Sequence, residues 1–249
     1  MPRFRLRPTR VGLFALAALP ATLAAQGPAD PGAGRDSNAA RPDSAATADS
    51  SGEAAVRQGR AAVRRMQAAT VLVQCANGDG MGSGVAVGSA RIIVTNHHVI
   101  AACDAGAPGA LVGVRSASGG SAPARVVATD ERLDIAILSV EGNVDATPVQ
   151  LASDADVVAG QMVWALGYPG LAQSGGSADV VARVTVGPVS REAQLQDGRY
   201  ILDHSAGIYP GNSGGPLFDG CGKVVGINTM IAADQGRGVG TIGFAVGAR

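Results

Sequence analysis

The sequence predicts an all-β fold, on three observations. From residue 69 onward, β-branched runs alternate with glycine-rich breaks at short intervals, as in a sandwich or barrel. Roughly 180 residues carry this pattern, a length that suits one all-β domain. No internal repeat of solenoid type competes with that reading.

The chain before this point has a different character. Residues 1–10 carry Arg3, Arg5, Arg7 and Arg10 and no acid, residues 11–23 are apolar, and Ala24-Ala25 follow. That is the layout of a secretory signal peptide over 1–25, cleaved after Ala24 or Ala25, with an apolar run too short for a comfortable membrane span. Retention as a signal anchor is the alternative. The arginines are not adjacent, so twin-arginine export is not indicated, and no cysteine lies near the cleavage point to take a lipid. Cleavage removes four arginines and no acids, so a formal charge of 0 becomes −4. A mildly acidic chain has no electrostatic footprint for nucleic acid. Residues 26–52 are mainly Ala, Asp, Ser, Pro and Gly, too poor in apolar surface to offset ordering, and read as a disordered spacer. Residues 53–68 gain Ala, Arg, Val and Met and read as a short helix. The mature chain is expected outside the cytoplasm, in a bacterial periplasm or secreted, with no stable membrane insertion.

The strands follow in order. Residues 70–75 form the first, closed by Asn77-Gly78-Asp79-Gly80, and 82–87 the second. Residues 91–95 form a third that runs into Asn96-His97-His98-Val99. Residues 135–140 are a continuous apolar run. Residues 161–166 precede Gly167-Tyr168-Pro169-Gly170, and 243–246 are the last strand.

The chemistry gathers at Gly211-Asn212-Ser213-Gly214-Gly215-Pro216-Leu217. A serine among glycines suits a nucleophile on a sharply bent backbone, since glycine adopts positive φ and permits close approach. The amides of Gly211 and Ser213 can then converge as an oxyanion hole. A nucleophile elbow of α/β-hydrolase type needs a histidine downstream. His97, His98 and His204 all precede Ser213, which excludes it; the order His, Asp, Ser is the chymotrypsin-type order. His98 is the candidate base, with His97 as its rival; side chains alternate along a strand, so at most one of the pair faces the cleft. Asp134, at the mouth of 135–140, is the candidate acid that orients the base, whereas Asp130 and Glu131 read as solvated turn residues.

These motifs carry a family resemblance. Thr95-Asn96-His97-His98-Val99, Asp134-Ile135-Ala136-Ile137-Leu138 and Pro210-Gly211-Asn212-Ser213-Gly214-Gly215-Pro216-Leu217 resemble the trypsin-like serine proteases, closest to the bacterial Deg/HtrA-type branch. Smaller matches are Gly82-Ser83-Gly84-Val85, residues 184–190 and residues 225–229. In the family pattern the histidine directly before valine is catalytic, which selects His98. The resemblance implies two six-stranded antiparallel β-barrels with the active site between them. Barrel one would span 69–142 with His98 and Asp134, and barrel two 147–247 with Ser213, in a protease domain over 69–247. It implies a serine endopeptidase acting through an acyl-enzyme on unfolded or extended polypeptides; trimers follow by analogy only. Residues 167–170 would rest near the oxyanion hole. The chain departs from the branch in stopping at Arg249 without a PDZ domain, so a stand-alone protease domain is expected.

The substrate pocket is expected from Ala206, Gly207, Ile208 and Tyr209 on one wall and Thr229, Met230 and Ile231 on another. These residues include no acid, so a small or aliphatic P1 side chain is expected rather than Arg or Lys. Tyr209 stands where the family often has a small or polar residue. Three cysteines in an exported chain imply one disulfide and one free thiol. Spacing does not settle connectivity; Cys75–Cys103 is expected, both lying in barrel one, with Cys221 left in a turn. No metal-ligand spacing is present, and no metal or cofactor is expected. The rival readings are a latent or non-catalytic binding or chaperone module on the same fold, and an esterase using the same triad.

Overall fold

Two closed antiparallel barrels account for the β-rich part of the chain in a computed structural model that describes residues 44–75, 80–103, 106–152, 157–169, 181–195, 200–229 and 243–247. Barrel one is built from β1 (Thr70–Gln74), β2 (Met81–Ala86), β3 (Ile92–Thr95), β4 (Leu111–Ser116), β5 (Ser121–Asp130) and β6 (Ile135–Val140), in the order β1-β2-β3-β6-β5-β4. Barrel two is built from β7 (Met162–Gly167), β8 (Arg183–Gln194), β9 (Tyr200–His204), β10 (Pro216–Phe218), β11 (Val224–Thr229) and β12 (Gly243–Gly247), in the order β10-β11-β12-β9-β8-β7. Two helices complete the described elements: α1 (Ser44–Ala69) leads into β1, and α2 (His97–Ala101) follows β3. The all-β expectation of two six-stranded barrels is met.

Alternation fills each barrel. On β6, Ala136, Leu138 and Val140 point inward, and on β4 Val112 and Val114 do the same. With Val71, Val73, Ile93, Val126 and Ile100 of α2 they form the first core. Val163, Ala165, Val189, Leu202, Leu217 and Val225 form a second core inside barrel two.

A third core lies in the seam between the barrels. β1 is buried on both faces because its outward side packs on barrel two. Leu72 and Val85 from barrel one meet Leu166, Tyr168, Phe218 and Ile227 from barrel two, and Met66 and Ala69 at the end of α1 close one side. Tyr168 is 1 % exposed, and its hydroxyl donates to the Thr70 carbonyl at 2.8 Å, so the buried phenol is satisfied.

Two expectations meet the structure here. The helix expected over 53–68 begins at Ser44, inside the stretch read as spacer. The first turns carry Ala45, Ala46 and Ala48 among Ser and Asp, and alanine has the highest helix propensity of the residue types. Residues 1–43, which hold the expected signal peptide and the rest of the spacer, lie outside the described residues. The disulfide Cys75–Cys103 is formed as expected, joining the end of β1 to the chain just past α2, and Cys221 is free and exposed. Among the described residues no helix is long and apolar enough to cross a membrane.

Candidate active site

β3 delivers the chain to the mouth of barrel one and stops at Asn96, which is buried and donates its side-chain amide to the Asp134 carbonyl at 2.8 Å. The next residues turn into α2, so His97 and His98 stand on a short helix and not on the strand expected of them. Strand alternation therefore does not separate the two. Their contacts do: His98 reaches the Asp134 carboxylate, whereas among the described residues His97 meets Asp134 only through its backbone N–H, which donates to the Asp134 carbonyl at 3.2 Å.

Asp134 meets His98 twice. The His98 ring Nδ1 lies 2.8 Å from Asp134 Oδ2, and the His98 backbone N–H donates to Oδ1 at 2.9 Å. A third donor, the Thr229 hydroxyl, reaches Oδ2 from barrel two at 3.1 Å. The turn after β5 aims the carboxylate: Leu133 N–H is held by Asp130 Oδ1 at 2.9 Å, and Asp134 adopts φ 55°. Aspartate tolerates this left-handed conformation better than most residues with a Cβ. Burial raises the Asp134 pKa, but the His98 ring, the His98 amide, the His98 charge and the Thr229 hydroxyl together outweigh it and hold the carboxyl below its usual value.

Ser213 sits across the seam on a loop whose amides are used unevenly. Asn212 N–H donates to the Tyr209 carbonyl at 2.9 Å, Gly214 N–H to Asn228 at 2.9 Å and Gly215 N–H to Asn212 at 3.0 Å. Among the described residues, the N–H groups of Gly211 and Ser213 donate to no carbonyl. Gly211 has φ +101°, and a Cβ there would lie 3.0 Å from Pro169 Cα, so the 167–169 turn rests against this loop. The Ser213 carbonyl accepts the Ser83 N–H of β2 at 2.8 Å. Gly82 separates the two half-sites: a Cβ there would stand 2.6 Å from a Val99 methyl and 2.9 Å from the Ser213 carbonyl oxygen. The hydrogen bonds among the described residues include none between the His98 ring and the Ser213 hydroxyl.

Residues 82–227, more than half of the chain, match the family model of the trypsin-like peptidase domain. The chain belongs to that family. It is 34% identical over 166 residues to a probable periplasmic serine endoprotease, DegP-like, of Pseudomonas fluorescens, covering 67% of this chain and 32% of that protein. It is 34% identical over 158 residues to a serine protease Do-like HtrA of Lactobacillus helveticus, covering 61% of this chain and 35% of that one. The chain thus spans about a third of the length of the curated relatives it matches. Among solved structures it is similar to an HtrA-type protease AlgW with tripeptide, at TM-score 0.61 and 28% identity over 75% of this chain and 58% of that one.

Within this trypsin-like peptidase domain the expected pocket residues divide. Burial alternates along residues 205–209, and the side chains of Ala206 and Ile208, expected in one wall of the pocket, are buried in the barrel-two core. Gly207 and Tyr209 remain on the outer side, where a Cβ on Gly207 would lie 3.2 Å from the Tyr209 ring and hydroxyl. The Thr185 hydroxyl fixes the Gly207 carbonyl at 2.8 Å. Thr229, expected as pocket wall, spends its hydroxyl on Asp134; Met230 and Ile231 lie outside the described residues. The residue that composition and motif spacing missed is Ser83. Its signal was the pair of flanking glycines, since glycine inside a strand marks close approach by another backbone.

Proposed function

We propose that the chain is an exported serine endopeptidase in which Ser213 attacks the scissile carbonyl. His98 takes the serine proton and returns it to the leaving amine, and Asp134 fixes the ring tautomer and stabilises the imidazolium. The N–H groups of Gly211 and Ser213 receive the oxyanion, and water then releases the acyl group from Ser213. The observation that carries this reading is the double hold of Asp134 on His98, set across the seam from a loop that keeps two amides undonated among the described residues. The relatives named as periplasmic serine endoproteases support both chemistry and compartment. Tyr209 lying over Gly207 favours a small or aliphatic P1 side chain.

The test is fluorophosphonate labelling of the chain beside Ser213→Ala, with casein cleavage in parallel. Labelling and cleavage are expected in the parent and lost in Ser213→Ala. A folded parent that neither labels nor cleaves would refute the reading in favour of a binding module. Cleavage of small esters without casein would point to an esterase.

A further inference from the structure

Ser83 belongs to barrel one, yet its hydroxyl and its N–H are both used on barrel two. It is fully buried. Its hydroxyl donates to the Gly211 carbonyl at 2.6 Å and accepts the Tyr168 N–H at 2.9 Å. Its own N–H donates to the Ser213 carbonyl at 2.8 Å, and its carbonyl accepts the Thr95 hydroxyl at 2.7 Å. One residue therefore grips the 211–213 loop at both ends and ties it to the β7 exit and to β3.

We infer that Ser83 is a positioning residue for the oxyanion hole: its hydroxyl holds the carbonyl of the Gly211–Asn212 peptide, the one between the two peptides that carry the Gly211 and Ser213 N–H groups, and so keeps those two N–H groups aimed at one point. This rests on the reading of Ser213 as nucleophile. The physical need lies in Gly211. At φ +101° and without a Cβ, its backbone has little local preference between peptide orientations; among the described residues the loop holds the Gly211–Asn212 peptide at its N–H alone, through the Tyr209 carbonyl at 2.9 Å, and the carbonyl edge must be held from outside. No side chain of the loop does this. Asn212 is buried, and neither atom of its amide has a partner among the described residues. The Ser83 hydroxyl supplies the hold, and the Tyr168 N–H fixes the hydroxyl in turn by occupying its acceptor side. A donor placed about an ångström out of line costs on the order of a hundredfold in rate, so the hold reaches the chemistry through geometry.

The experiment compares the full chain with Ser83→Ala, which removes the hydroxyl, and Ser83→Cys, which leaves a weak donor of similar shape. Peptide hydrolysis is resolved into kcat and KM, melting is followed, and the Gly211 carbonyl 13C and Asn212 amide signals are read by NMR. Ser83→Ala is expected to lower kcat about a hundredfold with KM within about threefold. A cooperative melt should be retained and the Gly211 carbonyl signal displaced, with Ser83→Cys between the two in kcat. A folded Ser83→Ala with kcat within about threefold of the parent overturns the proposal, as does a loss confined to KM and melting temperature. Should the parent itself fail to label or cleave, the Ser213 reading fails. The hold is then decided by NMR alone, and an unmoved Gly211 carbonyl signal in Ser83→Ala refutes it.

Discussion

Asp134 and His98 are joined by two hydrogen bonds from different parts of the histidine, one from the ring at 2.8 Å and one from the backbone at 2.9 Å. The ring bond sets the tautomer, and the backbone bond prevents the carboxylate from rotating away. Asp134→Asn keeps the shape but offers the ring an amide in place of a charge. In the proposed mechanism kcat is expected to fall about ten-thousandfold with the fold intact, as checked by peptide hydrolysis beside circular dichroism.

The same pair makes stability fall in acid. Because the folded-state pKa of Asp134 lies below its ordinary value of 3.8, its contribution is present above that value and is lost as pH falls through the lower folded value. Urea midpoints of the parent should therefore drop below about pH 4, and Asp134→Asn should show a shallower drop.

His204 adds a second and separate pH dependence. It follows Leu202 on the inward face of β9 and is fully buried, with neither ring nitrogen hydrogen-bonded among the described residues. Burial pushes its pKa from 6.5 down to about 4, with the Ala206 backbone and the Asp203 carboxylate pulling partly the other way. Arg191, the nearby cation on β8, is turned outward and paired with Asp203. The unfolded chain binds the proton first, so the neutral ring's contribution is whole above pH 6.5 and is lost progressively down to about pH 4. The loss is on the order of 3 kcal/mol. His204→Leu is expected to flatten urea stability between those pH values, and an unchanged slope would contradict the assignment.

Reduction of Cys75–Cys103 opens a loop whose ends are 28 positions apart and which includes β2, β3 and α2. Loop-closure entropy puts the cost at about 3.5 kcal/mol. Denaturant unfolding of Cys75→Ser/Cys103→Ser should show a loss of that order, while Cys221→Ser should match the parent.

Tyr209 is 44 % exposed and lies over Gly207. Tyr209→Ala is expected to raise kcat/KM about tenfold for substrates with Leu or Phe at P1 while changing Ala substrates little. A P1 library that leaves the two variants indistinguishable would remove Tyr209 from the pocket.

The sequence made much of this legible because the site's chemistry is local. Each triad candidate sits in its own short motif, and the apolar runs at 70–75 and 135–140 announce β1 and β6. β4, β5 and β9 were harder to see: β5 carries Pro123 and several alanines, and its strand character comes from pairing with β4 and β6 rather than from its own composition. The apolar run before His98 predicts a strand leading into it and does not reveal that a helix begins directly after Asn96. The Thr229 contact to Asp134 and the Ser83 hold join residues 95 and 128 positions apart, and no spacing rule reaches that far.

The seam core has a consequence for how such a molecule ages under heat. The proposed base and acid ride on one half and the proposed nucleophile on the other, and their alignment is carried by Leu72, Val85, Leu166, Tyr168, Phe218 and Ile227 together with Met66 at the end of α1. Each barrel keeps its own interior when that contact loosens. Slippage of the halves by a fraction of an ångström would then silence turnover while both halves still melt as folded bodies, and activity would be the earlier casualty.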